Sequence, residues 1–237
     1  MKSTGEHTPK NFVIEGAIFD CDGTLLDSLD SWRGLEGVLS QEAHVQVTPE
    51  ERALFTTFTI PEVARYFHEQ YGLLRSVDAV IDFIDDYMMD YYAHRAHVIP
   101  GVLPFLEACA RVDVSMCVAS SSAQKYLQAG LKNAGIAGYF SHVFSVEDLG
   151  SSKREPLIFT HAQQALGTDR ATTWGIDDSF YALETLKKAA FPAIALYDQL
   201  SDEVRSQAEE LCEFAVSRLD ELVISDNALA LRFNEQA

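Results

Sequence analysis

The sequence predicts an α/β protein: a Rossmann-like, mainly parallel sheet flanked by helices, with an all-helical segment inserted after the first strand. Three observations predict it. Short apolar runs of strand length recur at Phe12–Phe19, Val114–Ala119, His142–Val146, Thr172–Ile176 and Ala193–Leu196. Most are followed by a longer amphipathic stretch with helix signals, and strands alternating with helices imply a parallel sheet covered by helices. The stretch from about Ser28 to Ile99 breaks the alternation, with several helix starts and no buried strand.

Taken in order, the first run ends on the polar string Asp20-Cys21-Asp22-Gly23-Thr24. Inside the insert, Thr48-Pro49-Glu50-Glu51 and Thr59-Ile60-Pro61-Glu62 each set a glutamate three residues after a threonine, with proline in the first turn. That is the pattern of a capping box opening a helix. The stretch from Val77 to Arg95 has no Gly or Pro and predicts one long helix, and Pro100-Gly101 closes the segment. Further on, Leu127, Leu131 and Ala134 recur at helical spacing before Gly135. Pro156, Ile158, Phe159, Ala162 and Leu166 do the same before Gly167, and both glycines read as helix stops. Residues 1–27 and 100–237 are thus expected to form the α/β core, and residues 28–99 a helical domain.

The bulk properties narrow the function. The 237 residues are 47% hydrophobic, enough for a sizeable core, and carry a formal net charge of −18 from 36 acids against 18 bases. Such a chain is a poor binder of nucleic acid, whose capture rests on Lys and Arg neutralising phosphates. An anionic small molecule would need local cations against the global field. Cys21, Cys109, Cys117 and Cys212 form no CxxC pair and no zinc-like spacing, so a reduced, cytoplasmic setting is expected. Met1 to Lys10 lacks the apolar stretch of a signal peptide, and no uncharged run is long enough to span a membrane.

In an open parallel sheet, ligands bind beyond the carboxyl ends of the strands. The residues just past each expected strand are therefore informative. Asp20 and Asp22 stand after the first, Ser120-Ser121-Ser122 after the second, Lys153 after the third and a short loop, and Asp177-Asp178-Ser179 after the fourth. Carboxylates, hydroxyls and one ammonium collect at a single edge. Side chains two apart at a strand end can face one substrate, and Gly23 allows a sharp turn and a close approach to phosphate. One acid can attack phosphorus while the other moves protons. Mg²⁺ takes few oxygen ligands and keeps its waters, so two or three acids suffice, with Asp178 supplying one from a neighbouring strand. Ser120 and Ser121 stand at a strand-to-helix turn, where hydroxyl and backbone N–H groups can hold phosphate oxygens. Lys153 would offset the accumulated negative charge. By contrast, Asp82, Asp86 and Asp90, with Asp85 beside them, recur every four residues in the insert and read as a solvated helix face rather than a cation site.

The string Phe19-Asp20-Cys21-Asp22-Gly23-Thr24-Leu25-Leu26-Asp27-Ser28 resembles the first motif of the haloacid dehalogenase-like (HAD) hydrolase superfamily. Val118-Ala119-Ser120 resembles its second motif, Lys153 with Pro156 its third, and Gly175-Ile176-Asp177-Asp178-Ser179 its fourth. The resemblance runs from about Val13 to Leu222. The insert is similar to the helical cap of the phosphoglycolate phosphatase and β-phosphoglucomutase branch. The resemblance implies that Asp20 is the nucleophile forming an aspartyl phosphate, and Asp22 the acid and then the base. It implies Mg²⁺ held by Asp20, the backbone carbonyl of Asp22, and Asp178. Ser120 would bind the phosphoryl group, Lys153 would orient Asp20, and Asp177 would support them from behind. At the third motif, Lys153-Arg154-Glu155-Pro156-Leu157 keeps only the lysine and second proline of the family's Lys-Pro-x-Pro-Asp, and Ala182 replaces a frequent Gly or Asp.

The expected activity is Mg²⁺-dependent hydrolysis of a small phosphorylated metabolite. The alternative is a β-phosphoglucomutase-like sugar phosphomutase, and, from a different class, a non-catalytic phosphate- or metal-binding regulator. Against the mutase, Trp32 stands where that group has a histidine twelve residues after the nucleophile, and no match to its substrate-gripping segment is visible around Leu54–Glu62. Against a phosphonatase, the insert contains no lysine. Against a binding protein, both Asp20 and Asp22 are present. Trp32, Arg33, Arg52, Arg65 and His68 are available to contact the rest of the substrate. Oligomeric state and substrate identity are left open.

Overall fold

The computed structural model describes residues 12–55, 58–197 and 202–232. The chain opens with β1 (Phe12–Val13) and β2 (Gly16–Phe19). Four helices come next: α1 (Leu29–Glu42), α2 (Pro49–Phe55), α3 (Ile60–Tyr71) and α4 (Val77–His94). The alternation then begins with α5 (Val102–Arg111), β3 (Ser115–Ser120), α6 (Gln124–Asn133), β4 (His142–Ser145), α7 (Val146–Leu149) and α8 (Leu157–Leu166). It ends with β5 (Thr173–Asp177), α9 (Phe180–Lys188), β6 (Ala193–Leu196), α10 (Asp202–Leu211), β7 (Phe214–Val216), β8 (Leu222–Ser225) and β9 (Ala228–Leu231).

Six strands form one parallel sheet in the order β4-β3-β2-β5-β6-β7. The chain leaves β2 toward β3 and β4 on one side, then returns to lay β5, β6 and β7 on the other. The switch point therefore falls between β2 and β5, and a crevice opens there at the carboxyl ends. β2 is buried along its whole length, as a central parallel strand covered on both faces must be. Its register sets Phe19 beside Val118 of β3 and Ile176 of β5. The residues just past these three levels thus emerge side by side.

The expected first strand, Phe12–Phe19, is two strands. Phe12 and Val13 leave the parallel sheet and pair antiparallel with Leu229 and Ala228 of β9. Phe12 packs edge-on against Trp174 and Phe214 there, and Trp174 Nε1 donates to the Val13 carbonyl at 2.9 Å. An apolar run cannot reveal in sequence that its pairing partner changes halfway. The His142–Val146 run ends one residue early, because Ser145 caps α7 through an N–H of Glu147 at 3.2 Å. The short strands β7, β8 and β9 are not among the expected runs.

The insert obeys its helix signals closely. Thr48 and Glu51 cap α2 reciprocally, at 2.8 and 3.2 Å. Glu62 takes the Thr59 N–H at 2.7 Å to open α3. α4 ends within one residue of expectation. It buries Val80, Ile84, Met88 and Tyr92, four residues apart, as one stripe. That stripe packs on α6, where Gly130 makes the approach possible: a Cβ there would lie 2.7 Å from the Tyr92 ring and 2.8 Å from Leu26. The chain enters and leaves the insert side by side. Leu26 bridges Val98, the Asp27 N–H donates to the His97 carbonyl at 2.9 Å, and Ile99 N–H donates to the Leu25 carbonyl at 3.0 Å.

Candidate active site

The strand ends bring the expected groups together. Asp20, Ser120, Lys153, Asp177 and Asp178 are all buried. Lys153 enters after α7 and lies 2% exposed between Asp20 and Asp177, bonded to a carboxylate oxygen of Asp20 and to Asp177 Oδ2 at 2.8 Å. The other oxygen of Asp177 accepts the Ser179 N–H at 2.9 Å. Asp20, Asp177 and Asp178 each turn an oxygen inward, all within 4.8 Å of one another. Gly23, at φ +81°, makes room: a Cβ there would strike the Asp178 carboxylate and lie 2.7 Å from Leu29. A larger residue is excluded both by conformation and by that carboxylate.

The charges are out of balance. Three buried carboxylates share one ammonium. Burial raises the Asp20 carboxyl well above its ordinary range, Lys153 opposing and Asp177 and Asp178 adding to the shift. Burial, then Asp177 beside it, pushes Asp178 up to about 7. Burial alone would lower the Lys153 ammonium, but Asp177 and Asp20 outweigh it and hold the group firmly protonated. Hard carboxylate oxygens converging with negative charge in excess are a donor set that fits Mg²⁺. Cys21, beside the cluster, is raised by burial and then by Asp22 and Asp20, so it remains a thiol and no nucleophile.

Asp22 is held separately. Its Oδ1 accepts the hydroxyls of Ser28 and Tyr92, and its Oδ2 accepts Ser122 Oγ at 2.5 Å and, more distantly, Ser120 Oγ at 3.5 Å. Ser120 Oγ also accepts the Ser122 N–H at 3.1 Å. Sequence reasoning missed Ser28, Tyr92 and Ser122 as partners of Asp22. Tyr92 comes from α4 of the insert, is fully buried, and receives the Trp32 Nε1–H at 2.8 Å on its own oxygen. Burial, then Asp22, raises its phenol above the usual range, so it stays a donor.

A cavity of about 810 Å³ opens over these groups. Its floor is Asp20, Asp22, Ser120, Ser121, Lys153 and Asp178. Its far wall comes largely from the insert and the start of α6: Trp32, Phe58, Ile60, Pro61, Ile81 and Tyr126, with Asp85 and Lys125 between them. Of Trp32, Arg33, Arg52, Arg65 and His68, the insert residues the sequence offers for contact with substrate, Trp32 alone lines this cavity. Arg52 is paired with Glu36 at 2.6 Å and Arg33 with Asp30 at 3.4 Å. Part of the segment around Leu54–Glu62 lies outside the described residues. In the acidic stripe Asp82, Asp86 and Asp90 are exposed as expected, Asp90 paired with Arg95 at 2.9 Å, whereas Asp85 beside them is half-buried and turned to Lys125 and the Tyr126 hydroxyl. No helix among the described residues is long and apolar enough to cross a membrane.

Architecture and site together define a doubly wound α/β enzyme with a helical insert and an acidic centre at its switch point. The chain belongs to the haloacid dehalogenase-like hydrolases, whose family model matches residues 17–196. Among curated proteins it is 25% identical to the 6-phosphogluconate phosphatase of Escherichia coli, covering 70% of this chain and 75% of that one. It is 24% identical to the phosphoglycolate phosphatase of Neisseria gonorrhoeae, covering 70% and 72%. A third relative, the chloroplastic protein Suppressor of quenching 1 of Arabidopsis thaliana, is 27% identical over 82% of this chain, which spans only 19% of that protein. The fold is shared with CbbY from Rhodobacter sphaeroides, solved with phosphate, at a TM-score of 0.68 and 18% identity, over 88% of this chain and 96% of that one.

Proposed function

We propose that this chain is a Mg²⁺-dependent phosphomonoester hydrolase acting on a small phosphorylated metabolite through an aspartyl phosphate on Asp20. The observation that carries the reading is the buried cluster of Asp20, Asp177 and Asp178 around a single Lys153. Structure alone does not call for so expensive an arrangement, since buried like charges are costly. A phosphoryl group with its cation would use it. Asp20, Asp178 and the Asp22 carbonyl would hold Mg²⁺, which supplies charge neutralisation for the phosphoryl oxygens when bound.

The protein's own groups do the rest. A carboxylate oxygen of Asp20 attacks phosphorus and the ester oxygen leaves, taking a proton from Asp22. Water then attacks the aspartyl phosphate, giving its proton to Asp22 and restoring Asp20. Lys153 fixes the attacking carboxylate, and Asp177 fixes Lys153. Ser120 and Ser121 stand on the cavity floor to take phosphoryl oxygens. The hydroxyls of Ser28, Tyr92 and Ser122 hold Asp22 ready. Residues 28–99 act as the cap, shielding the intermediate and shaping the leaving-group side.

Phosphate release measured with Mg²⁺ on a panel of phosphomonoesters, with Asp20→Asn as the comparison, tests this. Release by the parent and its loss by about a thousandfold or more in a folded Asp20→Asn variant is the expected result. Equal release by the variant removes the covalent route. Isomerised sugar phosphate with little release replaces hydrolysis by mutase chemistry.

A further inference from the structure

We infer that the leaving group of the substrate is uncharged and presents an apolar or aromatic face to the insert. This rests on the phosphomonoester reading above and assigns the substrate's other half. At about 810 Å³ the cavity has room for a ring-sized body beyond the phosphoryl group. A second anionic group on that body would need a second cation. Among the described residues lining the cavity there are two ammonium groups. Lys153 is consumed at the floor by Asp20 and Asp177. Lys125 is held by Asp85 at 2.5 Å, and Asp85 is fixed in turn by the Tyr126 hydroxyl. Glu147 adds a further negative charge at the rim.

The rest of the far wall is Trp32, Phe58, Thr59, Ile60, Pro61 and Ile81, and Thr59 spends both its N–H and its hydroxyl on Glu62, at 2.7 and 2.8 Å. Trp32 has its only N–H spent on Tyr92, at 2.8 Å, and meets Tyr126 edge-on with ring centroids 6.1 Å apart. A carboxylate or second phosphate set against these side chains would lose its water without gaining a partner, and would meet the Glu147 carboxylate at the rim. An uncharged body would bury apolar surface there at no such cost.

The test compares benzyl phosphate, whose leaving group is a neutral aromatic alcohol, with phosphoglycolate, whose leaving group carries a carboxylate. With Mg²⁺ and the full chain, kcat/KM is expected to be about tenfold or more higher for benzyl phosphate. Asp85→Asn keeps an acceptor for Tyr126 and releases Lys125, so it should shrink that preference by about tenfold. Calorimetric binding of both compounds to Asp20→Asn gives the same comparison without turnover. Asp20-dependent hydrolysis that favours phosphoglycolate overturns the inference and leaves the phosphatase standing. Absence of Asp20-dependent release from either compound, with benzyl phosphate still bound more tightly, removes the phosphatase and keeps the cavity assignment. Tighter binding of phosphoglycolate, or of phosphocholine as the cationic case, overturns the assignment, as does failure to bind benzyl phosphate.

Discussion

Lys153 and Lys125 each hold a carboxylate across the same cavity, yet the two pairs differ in kind. Lys153 is 2% exposed, donates to two buried aspartates, and is outnumbered by negative charge. The Lys125 and Asp85 side chains are 49% and 32% exposed and neutralise one another. The first arrangement is costly and makes sense only if something charged enters. The second leaves the wall electrically quiet, and an apolar surface surrounds it. In the proposed reading the cavity separates its tasks: strand ends handle charge, and helix faces handle shape.

The contrast breaks most visibly by removing each ammonium. Lys153→Met leaves three buried carboxylates uncompensated and should lower stability by about 3–5 kcal/mol. Lys125→Met should change it by less than about 1 kcal/mol, because the pair is solvated. Urea unfolding of both variants measures this. Equal losses would mean that the two pairs are alike and the division of labour is wrong.

Tyr92 is where the two regions touch, since an insert residue holds the proposed acid/base of the core. Tyr92→Phe keeps the ring stacked on Tyr126, 5.4 Å between centroids, and removes only the donor. Losing one of the hydrogen bonds that hold the acid/base should lower kcat by about tenfold or more while KM moves less. Steady-state kinetics reads the split. An unchanged kcat would make the contact structural only.

A smaller effect comes from Asp178. Its carboxyl ionises near the ordinary 3.8 when unfolded and at about 7 in the folded chain. The folded state therefore keeps the proton over that interval, and the stability this contributes is lost as pH rises from about 4 to about 7. In EDTA, Tm should fall more between pH ~5 and ~8 for the parent than for Asp178→Asn, and Mg²⁺ should recover the loss at the upper pH. Parallel falls in Tm would detach Asp178 from the cluster.

Much of the charged region is legible in the sequence, because strand ends are marked by where an apolar run stops. Asp20, Ser120 and Asp178 stand together for that reason, whereas Lys153 reaches them from the loop beyond α7, eight residues past the end of β4. The quiet region is less so. Tyr92 shares a four-residue spacing with Val80, Ile84 and Met88 and reads as one more core residue; only the need of a buried hydroxyl for a partner sets it apart. Ser122 escapes notice because three consecutive serines look alike until the turn decides which one faces Asp22. The strands β7, β8 and β9 are three or four residues long, too short for a period to show. Phe12 and Val13 change sheets inside one apolar run, and their partners, Leu229 and Ala228, lie near the opposite end of the chain.

The central claim is that Asp20 carries the phosphoryl group. Acid quenching during turnover, then borohydride reduction and peptide mass spectrometry, reads it directly, because an acyl phosphate is reduced to the alcohol whereas a free carboxylate is not. Homoserine at position 20 is the expected result, appearing only when substrate is present. Phosphate release with residue 20 unreduced, or reduction at Asp22 instead, would contradict the account.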